Sequence, residues 1–194
     1  MASFRETYKK LRAQIAFGSS VRMQEQTKGL HGRFFVKAFE GGKLVHEYVS
    51  DNVIVNSASI LVARLLKDST EPAGGITYLA VGTGHSGWNT QNPPAPTVSQ
   101  SSLEAELARK HISSSHTNFV DPSTGDPINT PTNVVDFAVT FSESDAVGPI
   151  VEMSLFGGDA TDAINSGTMV NYRTFPVINK TNSMTLSIIF RITA

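Results

Sequence analysis

Cysteine is absent from the sequence. Disulfides, zinc–thiolate sites and thiol nucleophiles are thereby excluded together, and the absence suits a chain that folds in a reducing cytoplasm. Long hydrophobic runs are missing as well. The longest, Ile60 to Leu66, is broken by Arg64 and falls far short of the roughly 18 residues of a membrane span, so no membrane anchoring is expected. Met1 to Lys10 is polar and charged with no apolar run behind it, which argues against a signal peptide. A surplus of one charge sign is also lacking. Lys and Arg number 16 and Asp and Glu 17, for a net charge of −1. A chain that bound nucleic acid with its whole surface would be strongly basic, so nucleic acid is not an expected partner.

What is present is ordinary globular chemistry. The 194 residues are 40% hydrophobic and 17% charged, which favours one compact domain able to bury roughly 70% of its unfolded surface. The charge is segregated along the chain. Residues 1–33 hold seven Lys and Arg against two acidic residues, net +5, and the remainder holds nine against fifteen, net −6. A basic arm joined to an acidic body predicts that the arm docks on something acidic, either nucleic acid or the acidic body of a neighbouring copy.

Periodicity gives the elements. Ser3 and Glu6 form a capping box, and Phe4, Tyr8, Leu11 and Ile15 then repeat at helical spacing up to Gly18. Ser19 to Gly32 has no period and reads as an extended arm. Arg33–Phe39 and Lys43–Val49 flank Gly41-Gly42, a hairpin signal. Ser57 caps a helix carrying Ile60, Leu61, Leu65 and Leu66 that ends near Asp68. Ile76–Val81 is a strand. Pro93, Pro94 and Pro96 make a loop, and Ser101–Lys110, with Glu104 three residues after Ser101, predicts a short helix. Ile112–Val120 is polar and reads as an edge strand. Val135, Phe137, Val139 and Phe141 alternate, as do Met184, Leu186, Ile188, Phe190 and Ile192, with strands over Ile150–Phe156 and Met169–Phe175 between them. About seven to nine short strands without alternating long helices predict a mainly β fold, an antiparallel β-sandwich with one or two short helices and an N-terminal helical arm. The expected division is an arm over 1–32 and a sandwich body over 33–194.

Few residues suggest chemistry. Gly82-Thr83-Gly84-His85-Ser86-Gly87 spells G-x-G-x-x-G after a strand, but a dinucleotide site needs a helix to begin there. Trp88-Asn89-Thr90-Gln91-Asn92-Pro93-Pro94 follows instead, so the motif reads as a turn. Gly84-His85-Ser86-Gly87-Trp88 lacks the closing glycine of a nucleophile elbow. No pair among His31, His46, His85, His111 and His116 has the i, i+4 spacing of a helical zinc pair. His111 and His116, five apart on a strand, are expected on opposite faces. Asp121 to Asp126 lacks the register and the glutamate of a calcium loop, and Asp159 and Asp162 read as solvated loop carboxylates. No catalytic, cofactor or metal residue is predicted, and the chain reads as a non-enzyme. Phe4, Tyr8, Leu11, Arg12 and Ile15 are predicted to form a protein interface, because amphipathic arms commonly bury their stripe on protein. Trp88 and Tyr78 are candidate glycan contacts.

Three segments in order carry a family resemblance. They are Asp51-Asn52-Val53-Ile54-Val55-Asn56-Ser57-Ala58 running into a helix with Leu65-Leu66; Ile76-Thr77-Tyr78-Leu79-Ala80-Val81-Gly82-Thr83-Gly84 before a proline loop and Leu103 to Arg109; and Ile150 to Gly158 leading to Met169 to Lys180. This order, over about residues 45–192, resembles the module of bacteriophage tail-fibre and tail-collar proteins, with Met153-Ser154 where that pattern has Ile-Gly. The resemblance implies a scaffold in a virion assembled in the host cytoplasm, with other virion proteins and copies of itself as partners and no small-molecule substrate. It implies a tail, baseplate or fibre-attachment subunit, with Glu106 and Arg109 as an orienting ion pair. Capsid decoration is the alternative within a virion, and a carbohydrate-binding module is the alternative outside it.

Overall fold

The computed structural model of the chain describes residues 29–67 and 74–194. Residues 1–28 of the expected arm, with Phe4, Tyr8, Leu11, Arg12 and Ile15, lie outside the described residues, as does Asp68. The first strand, β1 (His31–Glu40), begins two residues before the expected start of the body. It turns into β2 (Lys43–Ile54) through Gly41 and Gly42, whose φ angles of 55° and 80° are what a two-residue I′ turn requires of both central residues.

One helix, α1 (Asn56–Lys67), follows. Nine further strands complete the described chain: β3 (Gly74–Gly82), β4 (Glu106–His111), β5 (Thr117–Val120), β6 (Pro127–Ile128), β7 (Val134–Phe141), β8 (Gly148–Gly158), β9 (Thr168–Met169), β10 (Asn171–Lys180) and β11 (Met184–Thr193). The fold is mainly β and antiparallel, as expected. Hydrogen bonding runs through one open sheet in the order β4-β3-β8-β10-β2-β1-β11-β7-β5-β6, with β9 added to β8. The seam between β10 and β2 has only two residue pairs, Asn171 with Ile54 and Tyr172 with Val53.

The wings on either side of that seam share a core. Phe34 and Val36 of β1, Phe137 of β7, and Ile188 and Phe190 of β11 cluster with Leu79 of β3, Met153 of β8 and Phe175 of β10. The Phe34 ring sits 6.3 Å from Phe175 and 6.1 Å from Phe190. Alternation dictates this burial. Met184, Leu186, Ile188, Phe190 and Ile192 all face inward, with intervening residues outside or half-covered. Each fully buried side chain of this size stabilises the fold by about 1.5–3 kcal/mol. A second, smaller cluster of Val55, Tyr78, Ala80, Leu103, Phe156, Met169 and Tyr172 forms around β3, β8 and β10. Among the described residues no helix is long and apolar enough to cross a membrane.

Three local expectations change. Ser101–Lys110 is not a helix: Glu106–His111 is strand β4, paired with β3. The segment before it surrenders its backbone amides to a buried carboxylate and its Leu103 side chain to the smaller core, so tertiary partners override helix propensity. Within Ile112–Val120, a 3-10 turn over Ser114–His116 precedes β5, and β5 is not an edge but lies between β7 and the two-residue β6. In α1 only Ala58 and Leu61 are buried. Ile60 and Leu66 of the predicted stripe are 62% and 81% exposed, because the sheet covers one narrow side of the helix.

Candidate functional site

The Gly-rich turn leaves the end of β3, where Gly82 pairs with Glu152 of β8. Glu152 is fully buried. One carboxylate oxygen accepts from the Gly84 N–H at 3.1 Å and the Ala105 N–H at 2.9 Å, and the other from the Glu104 N–H at 3.0 Å and the Tyr172 hydroxyl at 2.7 Å. Four donors on one carboxylate satisfy the hydrogen-bonding demand that makes a buried charge tolerable. Burial first, and then the Glu152 hydrogen bond and charge, push the Tyr172 phenol well above its ordinary range.

The glycines follow from this packing. A Cβ on Gly82 would stand 2.5 Å from Glu152 Oε1 and 2.6 Å from the Ala105 carbonyl. A Cβ on Gly84, at φ 69°, would meet the Trp88 ring at 2.6 Å and Val151 at 2.7 Å. An amide that in a nucleotide site would face a phosphate here faces the chain's own carboxylate. His85 and Ser86 are exposed, and His85 Nδ1 accepts from the Gly87 N–H rather than from Ser86. Among the described residues no group of three His, Asp or Glu is placed to hold a metal ion.

Trp88 and Tyr78 are not brought together. Tyr78 is 8% exposed. Its ring stacks edge-on to His111 at 5.3 Å, its hydroxyl donates to Asp162 at 3.1 Å, and the Arg109 guanidinium lies 5.7 Å from it. A ring so enclosed offers no platform to a sugar. Trp88 is half-buried and lines an open cleft of about 560 Å³ between the proline loop and β10.

Sequence reasoning missed Glu152 as the organiser of this region. Its only signal is a lone acidic residue within the otherwise apolar Ile150–Phe156, a placement that asks for donors. It did pair Glu106 with Arg109, and the structure brings them together at 2.6 Å, although on a strand and not on a helix.

The described residues thus form an antiparallel β module whose glycine turn is filled by an internal carboxylate. Residues 53–147, just under half of the chain, match the family model of the baseplate wedge 3 tail fiber network component. The match takes in the end of β2, α1, β3, the glycine turn, the proline-loop wall of the Trp88 cleft and β4 to β7. It agrees with the resemblance to phage tail modules and is consistent with a phage tail- or baseplate-associated protein. A component of this kind is part of the phage virion. No curated protein matches the chain.

Proposed function

We propose that this protein is a non-enzymatic structural subunit of a phage baseplate or tail-fibre network, attached to its neighbours through its N-terminal arm. The family match over residues 53–147 carries the reading. It favours the tail over a capsid-decoration role. The two wings, sharing one core, serve as a sandwich-like rigid body. The arm supplies the grip: Phe4, Tyr8, Leu11 and Ile15 form the apolar stripe and Arg12 stands among its cations. The partners are other virion proteins and further copies of this chain, held in a homo-oligomeric ring or network. The charge split supports this, since a basic arm and an acidic body attract each other between copies.

Deleting residues 2–28 tests the proposal, because that cut stops short of β1. The shortened chain is expected to keep its β circular-dichroism spectrum and cooperative melting while disappearing from purified tails. Normal incorporation of the truncated chain overturns the arm's role. Copy number tests the location: roughly a dozen copies per particle fit a baseplate ring, and hundreds would transfer the protein to a capsid or tube lattice.

A further inference from the structure

The cleft beneath the proline loop has a braced outer wall. This wall is fastened to β10 at two points. Val177 N–H donates to the Thr90 carbonyl at 2.9 Å, and the Thr174 hydroxyl donates to the Pro94 carbonyl at 2.7 Å. Within the wall, Asn92 N–H donates to the Asn89 carbonyl at 3.0 Å and Gln91 N–H to Asn89 Oδ1 at 3.1 Å. Three prolines restrict what remains. The cleft is therefore preformed, and its volume of about 560 Å³ lies within the usual range of ligand pockets.

Its lining has a particular chemistry. The six-membered ring of the Trp88 indole lies close to Gly84, and Trp88 lines the cleft. Asn89 and Asn92 stand beside it, and Pro93, Pro94 and Pro96 add apolar surface. Among the described residues, neither the Trp88 indole N–H nor the Asn92 carboxamide has a hydrogen-bond partner, and both are open to solvent. No carboxylate lines the cleft, which disfavours a cation. The one charged group, Arg173, donates to the Asp51 carbonyl at 3.0 Å and has its guanidinium 5.6 Å from the Phe34 ring. It is thus held at the seam between the wings, with its buried Nε left without a partner among the described residues.

An aromatic side chain flanked by the unpartnered Asn92 carboxamide and the Asn89 Nδ2 matches a ligand with an apolar face and a rim of hydroxyls. We propose that this cleft binds a pyranose ring of a neutral saccharide, with the ring stacked on Trp88 and its hydroxyls hydrogen-bonded to Asn92 and Asn89. This goes beyond the structural role above and stands independently of it. The two asparagines supply both donors and acceptors, which is what adjacent sugar hydroxyls require. A single ring of this size in an open cleft binds with a Kd on the order of millimolar.

Trp88 is the only tryptophan in the chain, so its fluorescence reports the cleft directly. The full chain is titrated with glucose, galactose, mannose and N-acetylglucosamine up to about 100 mM, well above that Kd. At least one sugar is expected to change the emission saturably, and Asn92→Ala is expected to weaken that response at least about tenfold at an unchanged melting temperature. Asn92→Gln, which keeps the carboxamide, is the folding control and is expected to retain part of the response. Absence of a saturable change with any of the sugars overturns the proposal. An equal response in wild type and Asn92→Ala overturns it too. If the emission is silent to sugars but changes when the protein enters the particle, the cleft is a contact with a neighbouring subunit and the saccharide assignment fails.

Discussion

Glu106 and Arg109 face each other at 2.6 Å although they are three residues apart on a strand, a spacing that ordinarily sends side chains to opposite faces. A bulge makes the difference. Val81 pairs with Ala108 and Gly82 with Glu106, so Leu107 is an extra residue and the parity of β4 reverses there. Both side chains are almost completely buried, at 3% and 0% exposure. Arg109 Nη1 donates to the Thr161 and Ser166 carbonyls, at 2.8 Å and 3.1 Å, and Asn165 N–H donates to Glu106. The guanidinium also sits 4.9 Å from the Phe156 ring. The pair thus pins the 159–167 loop to the sheet.

Arg109→Ala should therefore leave Glu106 as a buried, uncompensated charge and cost about 3–5 kcal/mol. Urea denaturation measures this. Arg109→Lys should recover little, because a lysine cannot reproduce the forked contact with both carboxylate oxygens. Hydrogen exchange should speed up first across 159–167. A loss below about 1 kcal/mol would mean that the pair is no more than a surface interaction.

Glu152→Ala should be among the most damaging single changes in the body. It strands three backbone N–H groups and the Tyr172 hydroxyl, each costing about 1–3 kcal/mol if left unsatisfied. A loss of at least about 3 kcal/mol in chemical denaturation is expected. Tyr172→Phe removes only one donor and should cost about 1 kcal/mol.

The same contact predicts an alkaline limit. Burial and Glu152 raise the folded-state phenol pKa of Tyr172, and burial followed by the Asp162 hydrogen bond raises that of Tyr78. A raised pKa contributes stability that is intact below the unfolded value of about 10 and is lost as the pH climbs above it. Stability should decline above about pH 10, and Tyr172→Phe should flatten part of that decline. Tyrosinate absorbance measured across the unfolding transition tests it.

At the acid end, Asp145 is the marker. The Lys110 hydrogen bond, followed by those from Ser142, holds its pKa down at about 2. A depressed carboxylate contributes stability above its unfolded value of about 3.9 and loses it as the pH falls through the folded value. Carboxyl NMR should show the Asp145 midpoint near 2, and Lys110→Ala should move it upward while Ser142 keeps it below the unfolded value. The side chain is 38% exposed, so the effect on overall stability should be small.

Gly84→Ala joins the turn to the cleft. At φ 69° the new methyl would be strained, and it would meet Trp88 at 2.6 Å and Val151 at 2.7 Å. The expected cost is about 1–3 kcal/mol. The indole should swing outward, shifting its emission to the red. Unchanged emission with lost stability would show that Val151, and not Trp88, yields.

Much of this was written locally. The period of β11 and of β7 and the Gly41-Gly42 turn are determined by residues within a few positions of one another, so the sequence alone specified them. The charge split between residues 1–33 and the acidic remainder, and the absence of thiol chemistry, are likewise properties of the sequence alone. Ser57 does not cap α1 as expected: the helix starts at Asn56, and the Ser57 hydroxyl donates to the Met169 carbonyl at 2.6 Å.

Other features were decided only in three dimensions. Whether 101–110 coils or extends depends on Glu152, which lies 47 residues from Ala105 in the chain and takes the amides of Glu104 and Ala105. Whether the glycine turn faces a ligand or a carboxylate depends on the same residue, 68 positions beyond Gly84. Tyr78 and Trp88 look alike as exposed-aromatic candidates in sequence, yet one is enclosed by His111, Arg109 and Asp162 and the other lines an open cleft. A side chain's periodicity says which face of an element it occupies. What covers that face is set by residues from distant parts of the chain, and the burial and hydrogen-bonding energy of those contacts exceeds local preference.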